Sequence, residues 1–151
     1  MNLTNLLRNT VFVGGAVLLL AASASAAEYK TVTKNKVNVR TGPSTKDPVY
    51  MEVFPGYPLK VLSSNGEWVK VADYENDSGW VHSTLLSKCD TAIVNAKNTV
   101  NMRAEASTGA EVVATMERGV VLTKVSKKGD WTKVRHSGGT VGWVYNKLLW
   151  P

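Results

Sequence analysis

The chain repeats itself at a fixed offset of 63 residues, and nothing else in it limits the possible folds so strongly. Val37-Asn38-Val39-Arg40 returns as Val100-Asn101-Met102-Arg103, and Gly66-Glu67-Trp68 returns as Gly129-Asp130-Trp131. Gly79-Trp80-Val81 returns as Gly142-Trp143-Val144, and Leu85-Leu86 as Leu148-Leu149. Gly56 matches Gly119, and Leu59 matches Leu122. Residues 34–86 align with 97–149 without a gap, and about 20 of the 53 positions are identical. A constant offset over that span means duplication. Two units are too few for a solenoid, so each must enclose a core of its own. A unit of about 60 residues buries only around 60% of the surface its unfolded chain exposes, so each core is small.

Within a unit the hydrophobic period is two. Val37 and Val39 alternate with Asn38 and Arg40, and Val69 and Val71 alternate with Trp68 and Lys70. Val49, Met51 and Val53 alternate with Tyr50, Glu52 and Phe54. This is the pattern of half-buried strands. Turn signals part them: Thr41-Gly42-Pro43-Ser44, Phe54-Pro55-Gly56, Ser64-Asn65-Gly66 and Asp77-Ser78-Gly79. Short strands at this spacing, with no helical stretch, predict an all-β chain of two tandem small barrels. Closing each sheet removes strand edges that would otherwise pair with other chains.

The first stretch falls outside this pattern. Arg8 is its only charge before Glu28, and an apolar run from Val11 to Ala22 follows. That run is too short for a membrane span, which needs about 20 residues. It ends in Ala21-Ala22-Ser23-Ala24-Ser25-Ala26-Ala27, small residues that suit leader-peptidase cleavage. We expect a signal peptide over 1–26, cut after Ala26 or alternatively after Ala27, with an uncleaved anchor as the competing reading. A first barrel is then expected over 28–88 and a second over 89–151, in the periplasm or outside the cell. No cysteine follows the apolar run, so lipid attachment there is not indicated.

The charge is unequally shared. Residues 28–88 hold eight basic and seven acidic side chains, whereas 89–151 hold nine and five. This modest surplus favours anionic surfaces without naming a partner. Nucleic acid is a poor candidate for an exported chain. One cysteine excludes a disulfide-stapled scaffold and a cysteine-built zinc site. With two histidines at non-equivalent positions, His82 and His136, little material remains for catalysis. We expect no enzyme, no cofactor and no metal. Asp73, Glu75 and Asp77 have the spacing that opens a calcium loop, but the acid required twelve positions along is replaced by Thr84.

In order, Val-Asn-Val-Arg-Thr-Gly-Pro-Ser, Gly-Glu-Trp-Val-Lys-Val and Gly-Trp-Val-His-Ser-Thr-Leu-Leu resemble the bacterial Src homology 3 (SH3) domain. The second unit keeps the asparagine, the arginine, both tryptophans and the closing leucines, with Glu105-Ala106 in place of the Gly-Pro turn. The resemblance covers nearly all of the chain after residue 26. It implies a five- or six-stranded barrel without catalysis, of a kind that commonly targets peptidoglycan or binds peptides.

Candidate ligand-binding residues follow from strand parity and from where the copies differ. Trp68 and Trp131 turn outward by alternation and offer large area with one hydrogen-bond donor. Tyr50, Phe54 and Tyr57 are replaced by Val113, Glu117 and Val120 in the second unit, so the first has an aromatic surface of its own. The competing reading is that repeat two, or the segment near Tyr29 and Val32, covers that surface. Lys124, Lys127, Lys128, Lys133 and Arg135 surround one hairpin, where several should share a face and attract anionic polymers. Trp80 and Trp143 read as packing, and Asn38, Arg40, Asn101 and Arg103 as hydrogen bonders that fix turns. Cys89, between the units, is either an idle thiol or an intermolecular disulfide linking a homodimer. The leading reading is a non-enzymatic exported binding module for peptidoglycan or its peptide stems, with Tyr50, Phe54, Tyr57 and Trp68 as one contact surface. The alternative is a periplasmic adaptor for another envelope protein.

Overall fold

A computed structural model describes residues 25–151, and the signal peptide expected over 1–26 lies almost wholly outside them. The first unit forms β1 (Tyr29–Val32), β2 (Val37–Arg40), β3 (Val49–Val53), β4 (Pro58–Asn65), β5 (Trp68–Ala72), β6 (Ser78–His82) and β7 (Leu86–Lys88). The second forms β8 (Thr91–Val94), β9 (Val100–Arg103), β10 (Val112–Met116), β11 (Val121–Lys128), β12 (Trp131–Arg135), β13 (Val141–Tyr145) and β14 (Leu149–Trp150). One turn of 3₁₀ helix precedes the last strand of each unit, at Ser83–Leu85 and Asn146–Leu148. No helix among the described residues is long and apolar enough to cross a membrane.

Each unit is one antiparallel sheet with the same order, β3-β2-β6-β5-β4-β1-β7 and β10-β9-β13-β12-β11-β8-β14. The chain is therefore all-β, two tandem SH3-like barrels. The count is seven strands rather than five or six. β1 pairs with both β4 and β7, which adds a short strand at each end of the chain segment to the sheet. Val32, Val37, Val39, Val53, Leu59, Val71 and Val81 come from six strands and meet in one buried cluster. No second layer covers them, so the sheet must curl around them. Val94, Val100, Met102, Met116, Leu122, Val134 and Val144 do the same in the second unit.

The pairing register shifts at four places, each by one extra residue on one strand, as in a β-bulge. Val39 pairs with Met51 but Arg40 pairs with Val49, leaving Tyr50 as the extra residue of β3. Its counterpart Val113 is the extra residue of β10. Leu62 in β4 and Val125 in β11 are likewise skipped by the register. An inserted residue is unpaired and shifts the strand's parity. This corrects the expectation that Val49 shares an inward face with Met51 and Val53, since Val49 is exposed beside Tyr50.

The two barrels are docked, not strung on a linker. All four residues of β8 are buried, where those of β1 are buried only at Thr31 and Val32. The Thr91 hydroxyl donates to the Gly56 carbonyl at 2.6 Å and lies 2.9 Å from the Thr31 hydroxyl. Arg118 reaches Glu75 at 3.4 Å, with its guanidinium 5.2 Å from the Tyr74 ring centre. Tyr29 meets Trp150 edge-on at 5.3 Å.

Candidate binding grooves

Trp68 opens β5 and faces its register partner His82 on β6. The rings meet edge-on, with centroids 5.4 Å apart and planes at 83°. Glycine at position 66, with φ of 57°, makes the tight turn that delivers the tryptophan to the barrel end. In the second unit Trp131 pairs with Tyr145 in the same way, at 5.6 Å and 62°. Arg40 Nη1 donates to the Asp47 carbonyl at 2.8 Å, and Arg103 Nη1 donates to the Ala110 carbonyl at 2.8 Å. Each arginine thus anchors the long loop after β2 or β9 against its own strand.

These pieces enclose a groove in each barrel. The first has a volume of about 230 Å³ between the Lys34–Asn38 segment, Arg40, Thr45, Trp68, His82 and Leu85. The second is about 470 Å³, and all ten residues of the first have their counterpart, 63 positions on, among its walls. Eight of those ten pairs are identical: Lys34, Asn35, Val37, Asn38, Arg40, Thr45, Trp68 and Leu85 match Lys97, Asn98, Val100, Asn101, Arg103, Thr108, Trp131 and Leu148. Across the whole repeat fewer than half the positions match. Core packing explains Val37 and Val100, but Lys34, Asn35 and Thr45 are exposed. The exceptions are Lys36 against Thr99 and His82 against Tyr145. His82 is held locally, with Nδ1 2.8 Å from Thr84 Oγ1 and Nε2 3.5 Å from Glu67 Oε2. Lys34, Asn35 and Thr45, with their counterparts Lys97, Asn98 and Thr108, escaped the reading of the sequence because they sit in loops. Their signal was identity between the copies at polar positions outside the strands.

The single contact surface expected from Tyr50, Phe54, Tyr57 and Trp68 is divided by the structure. Trp68 stands at the start of β5, and the Asp73–Asp77 turn that gathers the other aromatics stands beyond its end. Five residues of strand separate them, on the order of 15 Å. Tyr50 is 51% exposed and Phe54 48%. Asp77 beside Tyr50 raises its hydroxyl above the usual tyrosine range, with a smaller push from desolvation. Phe54 meets Tyr57 edge-on at 5.3 Å, and Tyr57 lies 6.4 Å from Tyr74. Tyr57 is half-buried, and its hydroxyl donates to Asp73 Oδ2 at 3.2 Å. Burial, then the Asp73 charge, drives its hydroxyl well above the usual tyrosine range. Arg118 of repeat two caps Tyr74, so this aromatic group serves in part to join the barrels.

Asp73, Glu75 and Asp77 do converge, with carboxylate oxygens within 4.8 Å of one another. Asp73 is nonetheless committed to the turn: its Oδ1 accepts the backbone N–H groups of Glu75 and Asp77, each at 2.9 Å. The five cations of repeat two do not form one patch. Lys128 is opposite Trp131, Lys133 is opposite Trp143, and Arg135 is opposite Thr123, so these three share the outer face. Lys133 Nζ lies 6.0 Å from the Trp143 ring centre. The bulge at Val125 turns Lys124 and Lys127 to the other face, where they border a hollow with Thr132, Asn146 and Pro151. Cys89, in the link between β7 and β8, is half-buried and its thiol donates to the Thr91 carbonyl at 3.4 Å.

Residues 33–88 and 96–151 each match the sequence model of the bacterial SH3 domain family. The chain is 28% identical over 139 residues to a Bacillus subtilis (strain 168) protein, YrvJ, named as an N-acetylmuramoyl-L-alanine amidase. That match takes in 85% of this chain and 27% of the relative, so the chain spans about a quarter of the relative's length. Among solved structures, an NlpC/P60 family protein from Bacillus cereus ATCC 10987 matches with a TM-score of 0.39 and 13% identity. It involves 81% of this chain and 55% of that one. NlpC2 from Trichomonas vaginalis matches with a TM-score of 0.37 and 11% identity, over 83% of this chain and 48% of that one.

Proposed function

This chain belongs to the bacterial SH3 domain family, in two tandem copies, and from that premise we propose that it is a non-enzymatic, exported binding module of the cell envelope. Its ligand in this reading is peptidoglycan or its peptide stems, held in the two grooves beside Trp68 and Trp131. The observation that carries the reading is the groove itself, repeated with eight of ten walls identical in copies that otherwise differ at most positions. The relative named for cleaving N-acetylmuramoyl-L-alanine supports the choice of ligand.

The chemistry of the walls suits such a polymer. An indole offers a flat apolar face and one N–H donor. Asparagine side chains offer paired donors and acceptors for amides, and lysine and arginine attract the carboxylates of peptide stems. Two grooves on one chain turn the second binding event into an intramolecular one, which raises avidity about 10²- to 10⁴-fold if both engage the same polymer.

The test is to follow the five indole N–H resonances by NMR while adding soluble peptidoglycan fragments. Those of Trp68 and Trp131 should move and that of Trp150, which packs against Tyr29, should not. Movement of Trp150 alone, or of none, would remove the grooves from the account. Specific crosslinking to one envelope protein, with no response to the fragments, would favour an adaptor instead.

A further inference from the structure

A further recess lies where the barrels meet, and unlike the grooves it is built from both repeats. Its volume is about 510 Å³, within the roughly 300–1,000 Å³ of small-ligand sites. Repeat one supplies Phe54 and Pro55, and repeat two supplies Val120 and Val121 from the opposite side. At Gly56 the two pack tightly: a Cβ there would meet Val121 Cγ1 at 3.2 Å. One wall is therefore apolar.

The other wall is basic. Arg135 and His136 line it, and no acidic residue does. Arg135 is exposed and takes part in none of the ion pairs among the described residues. His136 Nδ1 accepts the backbone N–H of Gly138 at 3.2 Å, which leaves Nε2 as the N–H of the neutral ring. The imidazole is thereby fixed as a donor. Repeat one has Ala72 and Asp73 at these positions, so the basic wall is peculiar to the second copy and sits only at the junction.

We propose that this cleft binds the free carboxylate end of a short peptide. The carboxylate pairs with the Arg135 guanidinium and the His136 ring, and the terminal apolar side chain lies against Phe54 and Val121. A cation without a carboxylate of its own, a second fixed donor and an adjacent apolar wall together match a carboxylate next to a hydrocarbon group. A hydrated inorganic anion would leave the apolar wall unused. The site is independent of the tryptophan grooves.

The experiment is NMR titration of the whole mature chain with acetyl-Ala-Ala-Leu, as free acid and as C-terminal amide. The acid should shift the His136 and Gly139 amides and bind about tenfold or more tighter than the amide, the usual worth of a charge-assisted pair. Arg135→Gln should abolish that preference, and Phe54→Ala should weaken both forms. A chain carrying Trp68→Ala and Trp131→Ala should bind the acid unchanged, which separates this site from the groove reading. Equal affinity for acid and amide, no binding of either at millimolar concentration, or an unaltered preference in Arg135→Gln would overturn the proposal.

Discussion

At Gly79 an added Cβ would stand 2.8 Å from the Arg40 carbonyl oxygen, and at Gly142 it would stand 2.8 Å from that of Arg103. Backbone cannot yield as a side-chain tip can, and these glycines lie where β6 and β13 pass closest to β2 and β9. Gly79→Ala should therefore cost about 1–3 kcal/mol, seen as a lower melting temperature with the near-native spectrum retained below it. The repeat shows a glycine before each of Trp80 and Trp143, but not the strand that the glycine passes. Tyr57 shows a different dependence. Burial and Asp73 raise its proton affinity in the folded state, so below about pH 10, the usual tyrosine value, both states keep the proton. Above it the unfolded chain loses the proton first, and stability falls as pH rises. Tyr57→Phe should flatten this fall, while losing about 1 kcal/mol at neutral pH with the Asp73 hydrogen bond. Denaturant midpoints at pH 8 and pH 11 measure both effects.

The strands themselves were written in the period of two, and Val37, Val39, Val71 and Val81 are inside as that period requires. What parity could not foresee were the bulges, because an inserted residue looks the same as a paired one until the register is seen. Tyr50, Leu62, Val113 and Val125 are exposed for this reason, and exposure alone does not make them binding residues. Leu62→Ser should change stability by no more than about 0.5 kcal/mol, whereas Leu59→Ala, in the same strand but fully buried, should cost about 2–5 kcal/mol. Equal costs in thermal unfolding would contradict the bulge assignment. The tryptophans of the grooves were legible from repetition and parity. Their loop neighbours were not, because a loop has no period to project a side chain to one side.

In the whole molecule the repeats are equal in topology but not in surroundings. β8 has repeat one against it, which explains its complete burial and could not be read from Thr91-Ala92-Ile93-Val94 alone. Of the aromatics near this junction, Phe54 lines the recess and Tyr57 packs beside Tyr74, which Arg118 of repeat two covers. Thr91→Val would leave the Gly56 carbonyl and the Thr31 hydroxyl without their partner, at a cost of about 1–3 kcal/mol. Calorimetry should find one unfolding transition in the wild type, moved to lower temperature in the variant. Two separate transitions in the wild type would mean the barrels are not coupled.

The central claim is that two equivalent grooves hold the wall polymer, and co-sedimentation with purified, protein-free sacculi at low and high salt tests it most directly. The wild type should pellet at both salt levels, because its hold depends on the indoles and on hydrogen bonds more than on screened charge. A folded variant with Trp68→Ala and Trp131→Ala should stay in the supernatant at high salt. Pelleting of the wild type only at low salt, or undiminished pelleting of the double variant, would contradict the account.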